Sequence, residues 1–185
     1  MAGLSLSAKG AKSESDVASG KPCKGRFLMM VKGVDETMEK KDDIIVDFEV
    51  LAGNVPDQKG KILTEYFKTT PKSICRLTRL ALCVGLLQPG EEKDVSFMGA
   101  VGRVLFVEVE DHSYVKDGET KPTESVRVSF AGMWSVGNPD VADLHQVPEI
   151  AAKIAELRGQ QSQQPPAQTP PQTPQPDMNK WGKLL

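Results

Sequence analysis

Five short stretches of alternating apolar and polar residues, broken by one helix-period stretch between the third and fourth, predict a mainly β fold for this chain: a five-stranded oligonucleotide-binding (OB)-like barrel. The strand patterns fall between Lys24 and Trp134, and the helical pattern runs from Thr70 to Leu86. A chain of 185 residues has room for one core of ordinary size with appendages. The expected organisation is an N-terminal arm at residues 1–23, the barrel at 24–136, a loop and short helix at 137–158, and a tail at 159–185. The arm is small, polar and of mixed charge, which predicts disorder.

The first strand opens at Gly25 and runs to Lys32, with Phe27, Met29 and Val31 on one face. Its other face also carries apolar residues, Leu28 and Met30, so that side is expected to be partly covered. The charged run Asp35–Asp43 reads as a turn, after which Ile44, Val46, Phe48 and Val50 alternate with Ile45, Asp47, Glu49 and Leu51 in a second strand. Turn formers from Gly53 to Gly60 close before a third strand, Lys61–Phe67. Tyr66 and Phe67 are consecutive and must point to opposite faces, so one is core and the other outward.

Thr70 is placed to cap the helix, with Pro71 at its first position, where a missing N–H costs nothing. Ile74, Leu77, Ala81 and Leu82 form its apolar stripe, and Lys72, Arg76 and Arg79 give it a basic outer face. Gly85 and then Pro89-Gly90 end it. The fourth strand is expected at Arg103–Val109, a long polar hairpin tip at Glu110–Glu124, and the fifth strand at Ser125–Trp134. In that last strand Val126, Val128 and Phe130 point inward, and Gly132 marks a bulge or a close backbone approach. Pro148–Arg158 reads as a short helix with Ile150, Ile154 and Leu157 on one side. The Gln/Pro-rich tract from Gln160 to Pro176 reads as a disordered linker ending in a tip with Trp181, Leu184 and Leu185.

Several classes of function are disfavoured. The longest apolar runs, such as Phe27–Val31 and Leu80–Leu87, are far shorter than the roughly 20 residues a membrane-spanning helix needs, and no secretory leader pattern opens the chain. A cytoplasmic protein is expected. Cys23, Cys75 and Cys83 form no metal-binding clip, and His112 and His145 are not spaced as co-ligands, so the three cysteines are expected to be reduced and mostly buried. No nucleophile elbow, phosphate loop or paired catalytic carboxylates can be found, so an enzyme is not expected and no cofactor is implied.

Binding to a single nucleic-acid strand needs less: cations that track phosphates and aromatic faces on which bases stack. The candidates are Arg26, Lys32, Lys61, Tyr66, Phe67, Lys68, Arg103, Tyr114, Lys116, Lys121, Arg127 and Trp134. Trp134 reads more readily as a plug at the barrel end than as a binding residue, and each lysine alone as a solvated charge. A net charge of −2 means that any binding face must come from local clustering of cations. It also keeps open a different class, a protein-interaction adaptor that never touches nucleic acid.

The run Phe48-Glu49-Val50-Leu51-Ala52-Gly53, the Gly60-Lys61 turn end, Glu65-Tyr66-Phe67, the Arg76–Leu82 helix, Gly85-Leu86-Leu87 and Gly102-Arg103 resemble a family of small phage and prophage proteins from replication and recombination modules. That family is regarded as OB-fold single-stranded DNA-binding proteins. The resemblance implies binding to DNA displaced during replication or strand exchange, without strong sequence preference. The tail is similar in layout to the partner-recruiting tails of bacterial single-strand binders, which implies a replication or recombination protein as partner of Trp181, Leu184 and Leu185. Lys180 and Lys183 stand where that layout is acidic. The oligomeric state is left open.

Overall fold

The computed structural model describes residues 20–37, 43–115, 118 and 120–161. Five strands, β1 (Gly25–Asp35), β2 (Asp43–Gly53), β3 (Ile62–Lys68), β4 (Val104–Tyr114) and β5 (Thr123–Ser135), form one antiparallel sheet in the order β3-β2-β1-β4-β5. Two helices, α1 (Ile74–Cys83) and α2 (Pro148–Gln161), and three short 3-10 turns complete the described chain. β3 and β5 are the sheet edges, so the sheet is not closed by a backbone ladder.

One face of the sheet folds around the main core. Phe27, Met29 and Val31 of β1 meet Val46, Phe48 and Val50 of β2, Leu63 and Phe67 of β3, Leu105 and Val107 of β4, and Leu77, Leu80 and Ala81 of α1. Register shifts within β1 bend the strand, which curls the sheet around this core. Gly53 lies against the Phe27 ring so closely that a Cβ there would sit 2.2 Å from it. The second apolar face of β1, expected to be partly covered, is covered. Leu28 packs with Ala52, Phe106, Val141, Leu144, Ile150 and Ile154 in a second cluster under α2. Segment 137–161 is thus packed onto the sheet.

The helix between β3 and β4 departs from expectation. It starts at Ile74, with Ser73 rather than Thr70 at its N-cap, and ends at Cys83 rather than Leu86. Thr70 acts through its carbonyl, which accepts the amides of Ser73 and Ile74, both at 2.9 Å, and Pro71 lies in the turn leading in. The C-terminus behaves as read: Gly85 takes a left-handed φ of 70°, and the amides of Leu86 and Gly85 return to the carbonyls of Ala81 and Leu82. The buried stripe keeps Leu77 and Ala81 but is rotated about the helix axis. Leu77, Leu80 and Ala81 are buried while Ile74 and Leu82 are exposed, and Arg76 is drawn inward instead of joining an outer basic face. A 3-10 turn, Phe97–Ala100, also lies between β3 and β4.

β4 and β5 pair well past Val109, with Tyr114 opposite Thr123, so both ends of the expected loop belong to a two-stranded ribbon. Between them the register jumps: Val107 faces Met133 while Val109 faces Val128, which leaves residues 129–132 as a bulge opposite Glu108. Gly132 makes it possible, since a Cβ there would lie 2.7 Å from that of Glu108. The bulge also turns Phe130 outward, 63% exposed, against the expectation that it points inward.

Candidate functional site

The seam between the two edge strands has two parts. At the first, α1 lies along β5 and its side chains stand in for a ladder. Glu65, 6% exposed, accepts the Val128 amide at 2.9 Å and the Arg76 guanidinium at 3.0 Å, and Arg76 also donates to the Val128 carbonyl at 3.0 Å. The guanidinium sits 5.1 Å from the centre of the Phe67 ring, and Arg79 caps the Ala131 carbonyl. These bonds satisfy edge groups that would otherwise be left unpaired in a partly dry environment. Glu65 was not singled out in the sequence, since its partners come from α1 and β5 and are brought to it only by the fold.

The second part is open. A groove of about 1270 Å³ runs between the start of β3 and the β4–β5 ribbon. One bank holds Lys21, Lys59, Lys61, Ile62 and Thr64, and the other Asp111, His112, Ser113, Glu124, Ser125 and Val126. The rings of His112 and Tyr114 stack with centroids 5.9 Å apart and planes at 19°, and Tyr114 is 43% exposed. On the outer face of β3, Tyr66 follows Ile62 and Thr64 at two-residue spacing and is 50% exposed. Thr64 donates to Asp47 at 2.6 Å, and Lys32 pairs with Glu49 at 2.7 Å, so both outer carboxylates of β2 are partnered.

The structure gathers some of the sequence-derived candidates and scatters others. Lys61 lines the groove, Tyr66 stands exposed on β3, Tyr114 on the ribbon, Lys121 beyond it, and Lys68 at the exposed end of β3. Phe67 is 1% exposed, stacked edge-on against Phe48, and belongs to the core. Trp134 packs half-buried on the second cluster, on the α2 side of the sheet. Arg26 pairs with Asp143 at 3.3 Å and lies 3.8 Å from Glu108, while Arg103 donates to the Val84 carbonyl, both away from the groove. Arg127 is bound at 2.8 Å to Glu110, whose carboxyl it holds below the usual carboxylate range with help from Ser129. Lys116, Trp181, Leu184 and Leu185 lie outside the described residues. Lys21, Lys59 and His112 were missed, since only the fold brings them to the mouth of one groove.

No family model and no curated protein matches the chain. Among the described residues no group of three or more His, Cys, Asp or Glu side chains is placed to hold a metal ion, and no helix is long and apolar enough to cross a membrane. The cysteines differ from expectation: Cys23 and Cys75 are exposed and only Cys83 is half-buried. Burial pushes the Cys83 thiol up, against the opposing influence of Arg79 and a hydrogen bond at the Ser135 backbone.

Proposed function

We propose that this protein binds single-stranded DNA with little sequence preference, on an OB-like barrel whose β3–β5 seam is left open as the binding groove. The reading rests above all on that groove, where Lys21, Lys59 and Lys61 meet a ribbon carrying the stacked His112–Tyr114 pair. A single strand is thin enough to follow such a channel, with phosphates along the lysine bank and bases turned toward Tyr114 and Tyr66. A duplex has no unstacked bases to offer those rings. The strand order, with β1 between β2 and β4, is what supports the OB-like reading. Replication or recombination in a phage-type module is the setting the sequence resemblance implies, with the tip around Trp181 as tether for a partner protein.

A second reading, a protein-interaction adaptor on the same barrel, has one observation in its favour: Asp111 and Glu124 lie on the ribbon bank and would repel phosphate. Titration of labelled single strand and duplex against the protein at two salt concentrations separates the two readings.

A further inference from the structure

A second concavity, of about 670 Å³, shares no lining residue with the groove. It lies where the end of α1, the turn leading into β4 and the last turns of α2 meet. Its walls are aliphatic: Val84 just after α1, Val101 and Val104 on either side of the turn, Val136 just after β5, and Ile154 and Leu157 of α2. Val101 is 45% exposed, and Val104, Val136 and Leu157 are only partly covered by the second cluster, so packing leaves apolar surface in the cavity. Cys83 completes the lining, and burial holds its thiol above the ordinary pKa and hence neutral near pH 7.

The charge lining this cavity is of one sign. The groove includes Asp111 and Glu124, and the recess between α2 and the β2–β3 turn includes Asp57, Glu149 and Glu156. Here Arg103 and Arg158 take part in the lining and no carboxylate does. Arg103 is fixed in place: its amide donates to the Ala100 carbonyl at 2.9 Å, and its Nη1 donates to the Val84 carbonyl at 3.2 Å, capping the end of α1. That cap uses one N–H of the guanidinium fork, and among the described residues Nε and Nη2 have no other partner. The neighbouring amides are already spent, Val101 on the Met98 carbonyl and Gly102 on that of Val31. An anion here is therefore met by side chains, and a planar guanidinium suits the two oxygens of a carboxylate. We propose that this cavity binds a small amphipathic monocarboxylate, a free acyl-chain acid whose head sits on Arg103 and whose chain lies along the aliphatic walls. The volume falls within the roughly 300–1,000 Å³ of small-molecule sites. A nucleotide fits less well, because no aromatic ring lines the cavity for a base to stack on. An acidic peptide also fits less well, because a docked peptide draws on main-chain partners and the amides of residues 101–103 are taken.

The test is NMR of the isotope-labelled full chain titrated with octanoate. The amide signals of Val84, Val101, Arg103 and Leu157 should move along one saturable curve. Each methylene added from hexanoate to decanoate should tighten binding by about two- to fourfold. Octanol, which lacks the head group, should bind at least about tenfold more weakly than octanoate, and Arg103→Gln should weaken octanoate binding to the same degree. Leu157→Glu, which sets a carboxylate in the wall and leaves the Val84 cap intact, should also weaken it, so a folding defect in Arg103→Gln does not decide the matter. Octanol binding as tightly as octanoate, affinity indifferent to chain length, or shifts centred on Lys59 and Lys61 would overturn the proposal. It would equally be overturned if octanoate had no saturable effect while an acidic peptide, or vesicles of phosphatidylglycerol, bound the chain.

Discussion

Tyr114 and Phe67 show how neighbouring chemistry assigns different work to similar side chains. Tyr114 presents a half-exposed ring on the ribbon and buries little, whereas Phe67 is wedged between Phe48 and Arg76. Tyr114→Ala is expected to weaken single-strand binding by about 1–3 kcal/mol with the melting temperature unchanged, since a stacking ring contributes to bases rather than to the core. Phe67→Ala should instead lower stability by about 3–5 kcal/mol, read from a denaturant midpoint. A loss of stability for Tyr114→Ala would move that residue from binding to packing. The thiols give a second residue-scale test. The thiolate is the reactive form, so a Cys83 whose pKa is raised by burial should label last with a thiol reagent at neutral pH, after the exposed Cys23 and Cys75. Mass mapping of the alkylated peptides checks the order, and first labelling at Cys83 would contradict it.

At the scale of elements, the Glu65–Arg76 pair joins β3, α1 and β5, three pieces that the backbone ladder leaves separate. Breaking a buried pair by removing one partner strands the other charge, so Arg76→Ala is expected to cost about 3–5 kcal/mol. Chemical denaturation checks this, and a change within experimental scatter would mean that apolar packing alone holds α1 at the seam. The five strands were legible in the sequence because each keeps a period of two, whereas the helix after β3 was read too long at both ends, Thr70–Leu86 against Ile74–Cys83. Gly85 as a helix stop and Gly132 as a close approach were legible too, since each position excludes a side chain for a local reason. Arg76 was not: a cation on a helix reads as solvent-facing unless its buried carboxylate, eleven residues away in β3, is known. Phe130 was misread because the bulge changes the face of every residue it contains, and a pattern of alternation carries no mark of where the register slips.

For the whole molecule, the central claim is that an unclosed seam, lysine-lined on one bank and aromatic on the other, receives a single DNA strand. The groove was only partly legible, Lys61 being singled out and Lys21, Lys59 and His112 not, because its banks come from segments far apart in the chain. The most direct measurement is fluorescence anisotropy of labelled single-stranded and duplex DNA, at two salt concentrations, with the unsubstituted chain and a Lys59→Glu, Lys61→Glu variant. Preference for single strand, affinity that falls as salt rises, and a weaker salt dependence in the variant, as roughly two phosphate contacts are lost, are the expected results. Equal affinity for duplex, no binding at low salt, or a variant indistinguishable from the unsubstituted chain would contradict it.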